Sequence, residues 1–241
     1  MTTSPGINVQ GEHHIGGSLL FDVNLHVPAG EWTCLLGRSG VGKSTILRLV
    51  LGLDTGGKFT GSYGATDSMP LAGRISYMAQ SDLLLPWLSV LENVCLGARL
   101  RGEMPDVDLA KDLLNRVGLS AHIDQKPKTL SGGMRQRAAL ARTLFENCPI
   151  VFLDEPFSAL DAGTRADMQE LAAQVLLGRT VLLVTHDPAE ATRLGHKITV
   201  LSEQGAQDWP VPSTPALRAI NDPQTLDCQA RLLGYLRGIG A

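Results

Sequence analysis

A nine-residue stretch, Gly37–Thr45 (GRSGVGKST), constrains the fold of this chain more than any other part of the sequence. Its spacing, Gly, four residues, then Gly-Lys-Ser/Thr, is typical of loops that bind phosphate groups. Residues 31–36 predict a short buried strand before it, and residues 46–51 predict the first turns of a helix after it. A strand, a glycine-rich loop and a helix in this order indicate a phosphate-binding unit in an α/β protein.

The residue types in this loop suit an anion. Gly37, Gly40 and Gly42 let the backbone curl so that successive N–H groups point inward, and the helix starting near Lys43 adds its positive end at the same point. Lys43 supplies a mobile charge for the outer phosphates, and Ser44 supplies a hydroxyl for Mg²⁺. A glycine-rich turn with a surface lysine is the alternative, but spacing, flanks and paired hydroxyls favour a phosphate site.

Length and composition limit the class of protein. A chain of 241 residues with 44% hydrophobic and 19% charged residues predicts one large globular domain, or a domain with a sub-lobe. A net charge of -3 without a basic stripe predicts no nucleic-acid partner. Four widely spaced cysteines, no export signal and no apolar run of membrane-span length predict a cytosolic protein with reduced thiols.

Polar side chains follow several predicted strands. The apolar run 150–153 ends in Asp154 and Glu155, while Gln80 and His186 each follow another strand. Ligands of parallel sheets bind beyond the carboxyl ends of the strands, so we expect these groups near one crevice. One carboxylate can hold Mg²⁺, and the next can polarise an attacking water.

A second anion-binding terminus is predicted at Leu130–Arg137. Its Ser-Gly-Gly start exposes backbone N–H groups at the head of a helix that runs to about Asn147. This helix closes a mostly helical region, residues 82–145, in which residues 90–100 and 109–117 carry helical apolar spacing.

The two ends of the chain have weaker patterns. Residues 19–21 and 23–27 predict two short strands, and residues 197–201 predict the last strand. A proline-rich linker at 208–215 and a short amphipathic helix at 226–236 follow.

In this order, the motifs resemble the nucleotide-binding subunit of an ABC (ATP-binding cassette) transporter over roughly residues 7–202. The Leu-Ser-Gly-Gly run at 130–133 separates the chain from P-loop kinases and GTPases. The resemblance implies a P-loop NTPase core with a mostly parallel sheet, an antiparallel β sub-lobe and an α-helical sub-lobe of about residues 82–145. We therefore expect an ATPase domain at residues 1–202 and a tail at 203–241.

The resemblance also implies a role for each motif residue, with ATP and Mg²⁺ as cofactors. The expected phosphate ligands are Gly37, Ser39, Gly40, Gly42, Lys43, Ser44 and Thr45. The expected Mg²⁺ ligands are Ser44, Gln80 and Asp154. Glu155 is expected to activate the attacking water, and His186 to sense the γ-phosphate.

In this family two copies close head to tail on two ATP molecules. The residues expected to contact the ATP held by the other copy are Ser131, Gly132, Gly133 and Gln136, and Asp161 is expected to communicate across the dimer. The aromatic position that stacks on adenine falls, by spacing from Gly30, at or near His14. An imidazole stacks more weakly than the usual aromatic ring.

The run Ser81–Val94 resembles the nitrate/sulfonate/taurine-type importers of bacteria, in which membrane permease subunits dock near Leu83–Trp87. Residues 31–45 and 70–80 resemble the branch that imports thiamine precursors such as hydroxymethylpyrimidine. The resemblance implies a peripheral protein at the cytoplasmic face of the inner membrane, served indirectly by a periplasmic solute-binding protein. An exporter motor, a soluble ABC ATPase of DNA repair or translation, and a P-loop small-molecule kinase are the alternatives.

Overall fold

Strands and helices alternate along much of the chain in the structure, a computed structural model that describes residues 4–238. The strands are β1 (Ile7–Ile15), β2 (Ser18–Val27), β3 (Trp32–Gly37), β4 (Lys58–Ala65), β5 (Ile75–Met78), β6 (Ile150–Asp154), β7 (Thr180–Val184), β8 (Lys197–Ser202) and β9 (Gly205–Trp209). The helices are α1 (Lys43–Val50), α2 (Val90–Val94), α3 (Leu96–Leu100), α4 (Val107–Arg116), α5 (Gly132–Phe145), α6 (Ala162–Val175), α7 (Pro188–Leu194) and α8 (Pro223–Gly238).

The strands form two sheets. A three-stranded antiparallel sheet has the order β2-β1-β4. A six-stranded sheet has the order β5-β6-β7-β3-β8-β9, in which β3 runs parallel to β7 and β8, and β9 runs antiparallel to β8. This combination of a largely parallel sheet, an antiparallel sheet and helices confirms the predicted fold class.

Hydrophobic patterning explains which strands lie inside. Every residue of β3, β6 and β7 is buried, as expected for parallel strands that are covered on both faces. In β2 the second half alternates between buried and exposed residues, which is the pattern of a strand with one solvated face. Strand β3 therefore belongs to the core, and the glycine-rich loop begins at its end.

The chain divides into two compact units, which are described separately. The first contains residues 4–75, 149–152 and 178–238, and so holds the antiparallel sheet, β3, β7 to β9, α1, α7 and α8. The second contains residues 76–148 and 153–177, and holds helices α2 to α6. The division falls within β5 and β6, which each begin in the first unit and end in the second.

Several predicted elements differ from the observed ones. The two short strands predicted at 19–21 and 23–27 are one strand, β2, because Asp22 continues the extended backbone on its exposed face. The helix predicted at 90–100 is two helices with a break at Cys95, whose backbone angles (φ −79°, ψ 0°) stay near the helical region and so preserve the apolar spacing. The predicted last strand, 197–201, is followed by β9.

Within residues 4–238, no helix is both long and apolar enough to cross a membrane. The four cysteines are free, as predicted, and three of them, Cys34, Cys95 and Cys228, are buried. Burial raises the pKa of the Cys34 thiol far above its usual range, so this side chain behaves as a small apolar core residue.

Candidate functional site

The glycine-rich loop connects β3 to α1 in the first unit, as the sequence predicts. Lys43 lies at the first position of α1 and is buried, and its ammonium group donates to the carbonyl oxygens of Gly37 and Arg38, each at 2.8 Å. The lysine therefore closes the loop on itself and holds a positive charge at the start of the helix. A buried ammonium group beside a helix N-terminus makes this region attractive to an anion.

Close packing explains why the last loop glycine has no side chain. Gly42 has φ +103° and directly precedes α1. A Cβ at this position would lie 2.5 Å from Cδ1 of Phe21, which belongs to β2. Gly42 has no side chain, so it makes no side-chain capping bond to the first N–H groups of α1.

A cleft of about 850 Å³ opens at this loop within the first unit. The described residues that line it are Leu19, Leu20, Gly37, Arg38, Ser39, Gly40, Val41, His186, Leu201, Ser202, Glu203, Gln204 and Leu236. The loop backbone and His186 are polar, while four leucines from β2, β8 and α8 form apolar walls. The cleft can thus accept a ligand with an anionic end and an apolar end.

His186 reaches this cleft from the turn between β7 and α7. The turn is held by a hydrogen bond of 2.7 Å from the buried Thr185 hydroxyl to Glu190 and by the backbone N–H of Asp187, which donates to Thr185 at 3.0 Å. Asp187 then caps α7 by accepting from the N–H of Ala189 at 2.8 Å. The exposed imidazole is therefore carried on a turn that hydrogen bonds fix at both ends.

The two predicted carboxylates lie at the end of β6 in the second unit. Asp154 is only 3% exposed, and the hydroxyl of Tyr77 donates to it at 3.4 Å. Glu155 is more accessible, and its carboxylate accepts a hydrogen bond of 3.2 Å from the side-chain amide of Gln80. The structure thus brings Gln80, Asp154 and Glu155 together.

Glu155 has a left-handed backbone, with φ +50°. This conformation is uncommon for any residue with a side chain, and it often occurs at functional sites. Gln136 of α5 donates to the Glu155 carbonyl at 3.1 Å and accepts from the N–H of Ala159 at 3.0 Å. Gln136 is 6% exposed, so its side chain faces the interior of its own unit. Its position in the motif predicts a contact with the ATP of the other copy instead.

The predicted second anion-binding terminus is the N-terminus of α5. Ser131 caps the helix by accepting from the N–H of Met134 at 3.2 Å. Ser131 and Gly132 are exposed, and a Cβ on Gly132 would contact only the tip of Arg135, at 3.9 Å, so the backbone here is accessible. In the same unit, Asp161 caps α6.

The segment Leu83–Trp87 exposes apolar side chains. Leu83 is 60% and Trp87 is 66% exposed. The fully buried Asn93 holds the segment from behind: its amide oxygen accepts from the N–H of Leu85 at 2.7 Å, and its amide nitrogen donates to the carbonyls of Leu85 and Leu88 at 3.2 and 3.3 Å. Exposed apolar side chains on a fixed backbone are typical of an interaction surface.

His14 does not line the cleft among the described residues. It lies on β1 with a half-exposed side chain, while its neighbour His13 is buried, contacts Phe21 and shares a hydrogen bond of 2.8 Å with Thr55. Leu19 and Leu20 of β2 line the cleft instead. Neither these leucines nor Leu236 could be predicted as site residues, because nothing in the sequence relates the start of β2 and the helix α8 to the loop.

Comparison with known proteins gives the family. The family described as ABC transporter matches residues 20–158. An uncharacterised ABC transporter ATP-binding protein of Haemophilus influenzae is 47% identical over 188 residues, which are 77% of this chain and 77% of that protein. An aliphatic sulfonates import ATP-binding protein, SsuB 1 of Rhizobium johnstonii, is 40% identical over 230 residues, which are 92% of this chain and 82% of that protein.

A solved structure agrees with these sequence relatives. The ATP-binding cassette MJ0796, solved as a dimer in a post-hydrolysis state with ADP and Pi, is 31% identical to this chain and superposes with a TM-score of 0.72. The match covers 88% of this chain and 99% of that one. The chain therefore belongs to the ABC transporter family, as one of its ATP-binding proteins.

Proposed function

We propose that this protein binds and hydrolyses ATP to energise a bacterial importer of aliphatic sulfonates. The observation that supports this most is the cleft at the glycine-rich loop, which residues 37–41 of the loop and four leucines line. The buried ammonium group of Lys43 donates to the carbonyl oxygens of Gly37 and Arg38 in that loop, and so adds positive charge beside the cleft. An ATP molecule has the matching composition, an anionic triphosphate joined to a flat and largely apolar base.

The triphosphate is assigned to the loop and the first turn of α1. The proposed ligands are Gly37, Ser39, Gly40, Gly42, Lys43, Ser44 and Thr45. The donor groups predicted for Mg²⁺ are a hydroxyl, an amide and a carboxylate, which are the oxygen ligands that this ion prefers. We assign them to Ser44, Gln80 and Asp154. The amide nitrogen of Gln80 is bonded to Glu155, so its amide oxygen is the atom that Mg²⁺ would take.

Glu155 is proposed as the general base and His186 as the contact to the terminal phosphate. Glu155 is accessible and already held by Gln80, which suits a carboxylate that must orient a water molecule. His186 shares the cleft with the loop, and its turn is fixed by hydrogen bonds.

The accessible N-terminus of α5 is proposed to bind the ATP of a second copy of the chain. Ser131, Gly132 and Gly133 would form this contact in a head-to-tail dimer, with Asp161 near the shared surface. The dimeric state of the cassette MJ0796 supports a homodimer. His14 was expected to stack on adenine from its spacing to Gly30, but it does not line the cleft among residues 4–238. The leucine wall is therefore the stronger candidate for contact with adenine.

The remaining assignments concern the membrane. We propose that permease subunits dock at Leu83–Trp87, which places the protein at the cytoplasmic face of the inner membrane, and that a periplasmic solute-binding protein delivers the solute. The ATPase domain is proposed to end near residue 202. The sulfonate relative favours a sulfonate over hydroxymethylpyrimidine, and favours import over an exporter motor or a non-transport ATPase.

Two measurements test this proposal. The purified protein should hydrolyse ATP, and Lys43→Ala should lose the activity together with most of the ATP affinity, because it removes a buried charge at the phosphate site. Deletion of the gene should abolish uptake of ³⁵S-labelled ethanesulfonate by the cell and should spare uptake of labelled hydroxymethylpyrimidine. The reverse pattern of uptake would overturn the choice of solute.

A further inference from the structure

Three hydrogen bonds hold the backbone carbonyl of Glu155. Its carbonyl oxygen accepts from the Gln136 amide at 3.1 Å, from the Ser158 hydroxyl at 3.0 Å and from the Ser158 N–H at 3.3 Å. This residue also has the left-handed φ of +50°, which an L-residue keeps only when its surroundings impose it. The hydrogen bonds to the carbonyl belong to those surroundings.

Of these donors, Gln136 belongs to helix α5, whereas Ser158 belongs to the turn that follows β6. Its amide is used at both ends, since the nitrogen donates to Glu155 and the oxygen accepts from the N–H of Ala159 at 3.0 Å. Because one partner accepts and the other donates, they also determine which atom of the amide is the nitrogen and which is the oxygen. A side chain that is 6% exposed and engaged in this way is poorly placed to reach a nucleotide on another subunit.

We propose that Gln136 is a positioning residue, which sets the direction of the Glu155 side chain by holding its backbone carbonyl. The inference rests on the proposed role of Glu155 as the general base. Because φ and ψ of a residue determine where its Cβ points, a rotation of this carbonyl moves the carboxylate away from Gln80 and from the water it should orient. Misplacement of a reacting group by about 1 Å can cost about 100-fold in rate.

The test uses the nearly isosteric variant Gln136→Glu. Its ionised carboxylate can still accept from the N–H of Ala159. Its second oxygen, however, faces the carbonyl oxygen of Glu155, so the hydrogen bond from residue 136 to that carbonyl is replaced by repulsion between two oxygens. We expect kcat for ATP hydrolysis to fall about 10- to 100-fold, while KM for ATP stays within about twofold of the wild-type value. The control is Thr143→Val on the same helix, which removes the bond from the buried Thr143 hydroxyl to the Ala139 carbonyl, 3.0 Å long. This control should lose stability and keep kcat.

The pH profile distinguishes positioning from a purely structural role. Burial raises the pKa of an introduced carboxyl group, and its neutral form carries an O–H that can donate to the Glu155 carbonyl. The activity of Gln136→Glu relative to wild type should therefore rise as the pH falls. Gln136→Met, which cannot donate in any state, should show the same loss of kcat without this recovery.

A kcat of Gln136→Glu equal to that of the wild type would overturn the inference, and so would an increase in KM with unchanged kcat, which would mean contact with nucleotide. In a Glu155→Gln background, Gln136→Glu should cause little further loss, because the two residues act through one group. Failure of the wild-type protein to hydrolyse ATP would instead overturn the proposed function, so the two failures are distinguishable.

Discussion

The ring of Phe21 lies against the backbone of Gly42, so that a Cβ on Gly42 would come within 2.5 Å of Cδ1 of the ring. We expect Gly42→Ala to abolish ATP binding. The substitution adds this steric conflict to a φ of +103°, where a side chain alone costs about 1–2 kcal/mol. Isothermal titration with ATP, together with thermal unfolding, measures both consequences.

Gly40→Ala is the matched control for this substitution. Gly40 also has a positive φ, +84°, but no atom lies within 4 Å of a Cβ placed there. It should therefore show the backbone cost alone and a smaller loss of affinity. Equal effects of the two substitutions would mean that packing against Phe21 is unimportant.

Glu155→Gln should bind ATP but hydrolyse it at least about 100-fold more slowly than the wild type, because the amide cannot accept a proton from water. With hydrolysis blocked, Mg-ATP should convert the variant from monomer to dimer, as measured by gel filtration. Addition of Lys43→Ala should prevent the shift by removing the bound triphosphate. Hydrolysis at the wild-type rate would show that Glu155 is not the base.

Leu236→Asp should weaken ATP binding about fivefold, because a carboxylate in the cleft repels the triphosphate by ~1 kcal/mol. Leu236 lines the cleft although it belongs to α8, near the end of the described chain. Leu233→Asp introduces the same charge on the same helix at an exposed residue that does not line the cleft, and it should leave the affinity unchanged. Binding of inorganic triphosphate, compared with that of ATP, would separate charge repulsion from lost contact with the base.

The free energy of unfolding should decrease as the pH falls below the ordinary histidine pKa of about 6.5. Burial lowers the pKa of His13 and of His196 in the folded protein, so the unfolded chain binds more protons in this range and gains stability from them. Protonation of His196 also removes the acceptor for the N–H of Trp32, which is 3.1 Å away.

Urea unfolding at several pH values measures this dependence. His196→Gln keeps an acceptor near Trp32 and cannot titrate, so it should flatten the curve. If His196→Gln leaves the pH dependence of the unfolding free energy unchanged, groups other than His196 cause that dependence.

Much of the fold follows directly from hydrophobic patterning. The strands β3, β6 and β7 are continuous apolar runs next to recognisable motifs, so both their existence and their ends could be predicted. Strands β1 and β9 were missed because they carry polar residues. In β1 one of the three buried positions falls on His13, and in β9 the sequence Gly-Ala-Gln-Asp-Trp has no apolar alternation.

The candidate site was only partly predictable, for a similar reason. Motif spacing predicts Lys43, Asp154 and Glu155 as site residues, because their proposed roles depend on residue type and on a neighbouring strand end. It does not reveal that the amide of Gln136 is hydrogen-bonded to Glu155 and Ala159. The direction of a side chain on a helix depends on which face of the helix packs against the rest of the protein. Leu236 was missed because only the folded chain brings α8 to the loop.

Strand β9 has a practical consequence for work with this protein. It pairs with β8 along residues 198–202 and forms the last strand of the six-stranded sheet, and Tyr235 of α8 is tied to it through a hydrogen bond to Gln207 and ring contact with Trp209. A chain shortened at residue 202 would leave the N–H and C=O groups of β8 open to pairing with other molecules. Affinity tags, fluorescent fusions and stop codons should accordingly be placed beyond α8. A shorter chain that ends near the last ATPase motif is expected to aggregate rather than to form a smaller active enzyme.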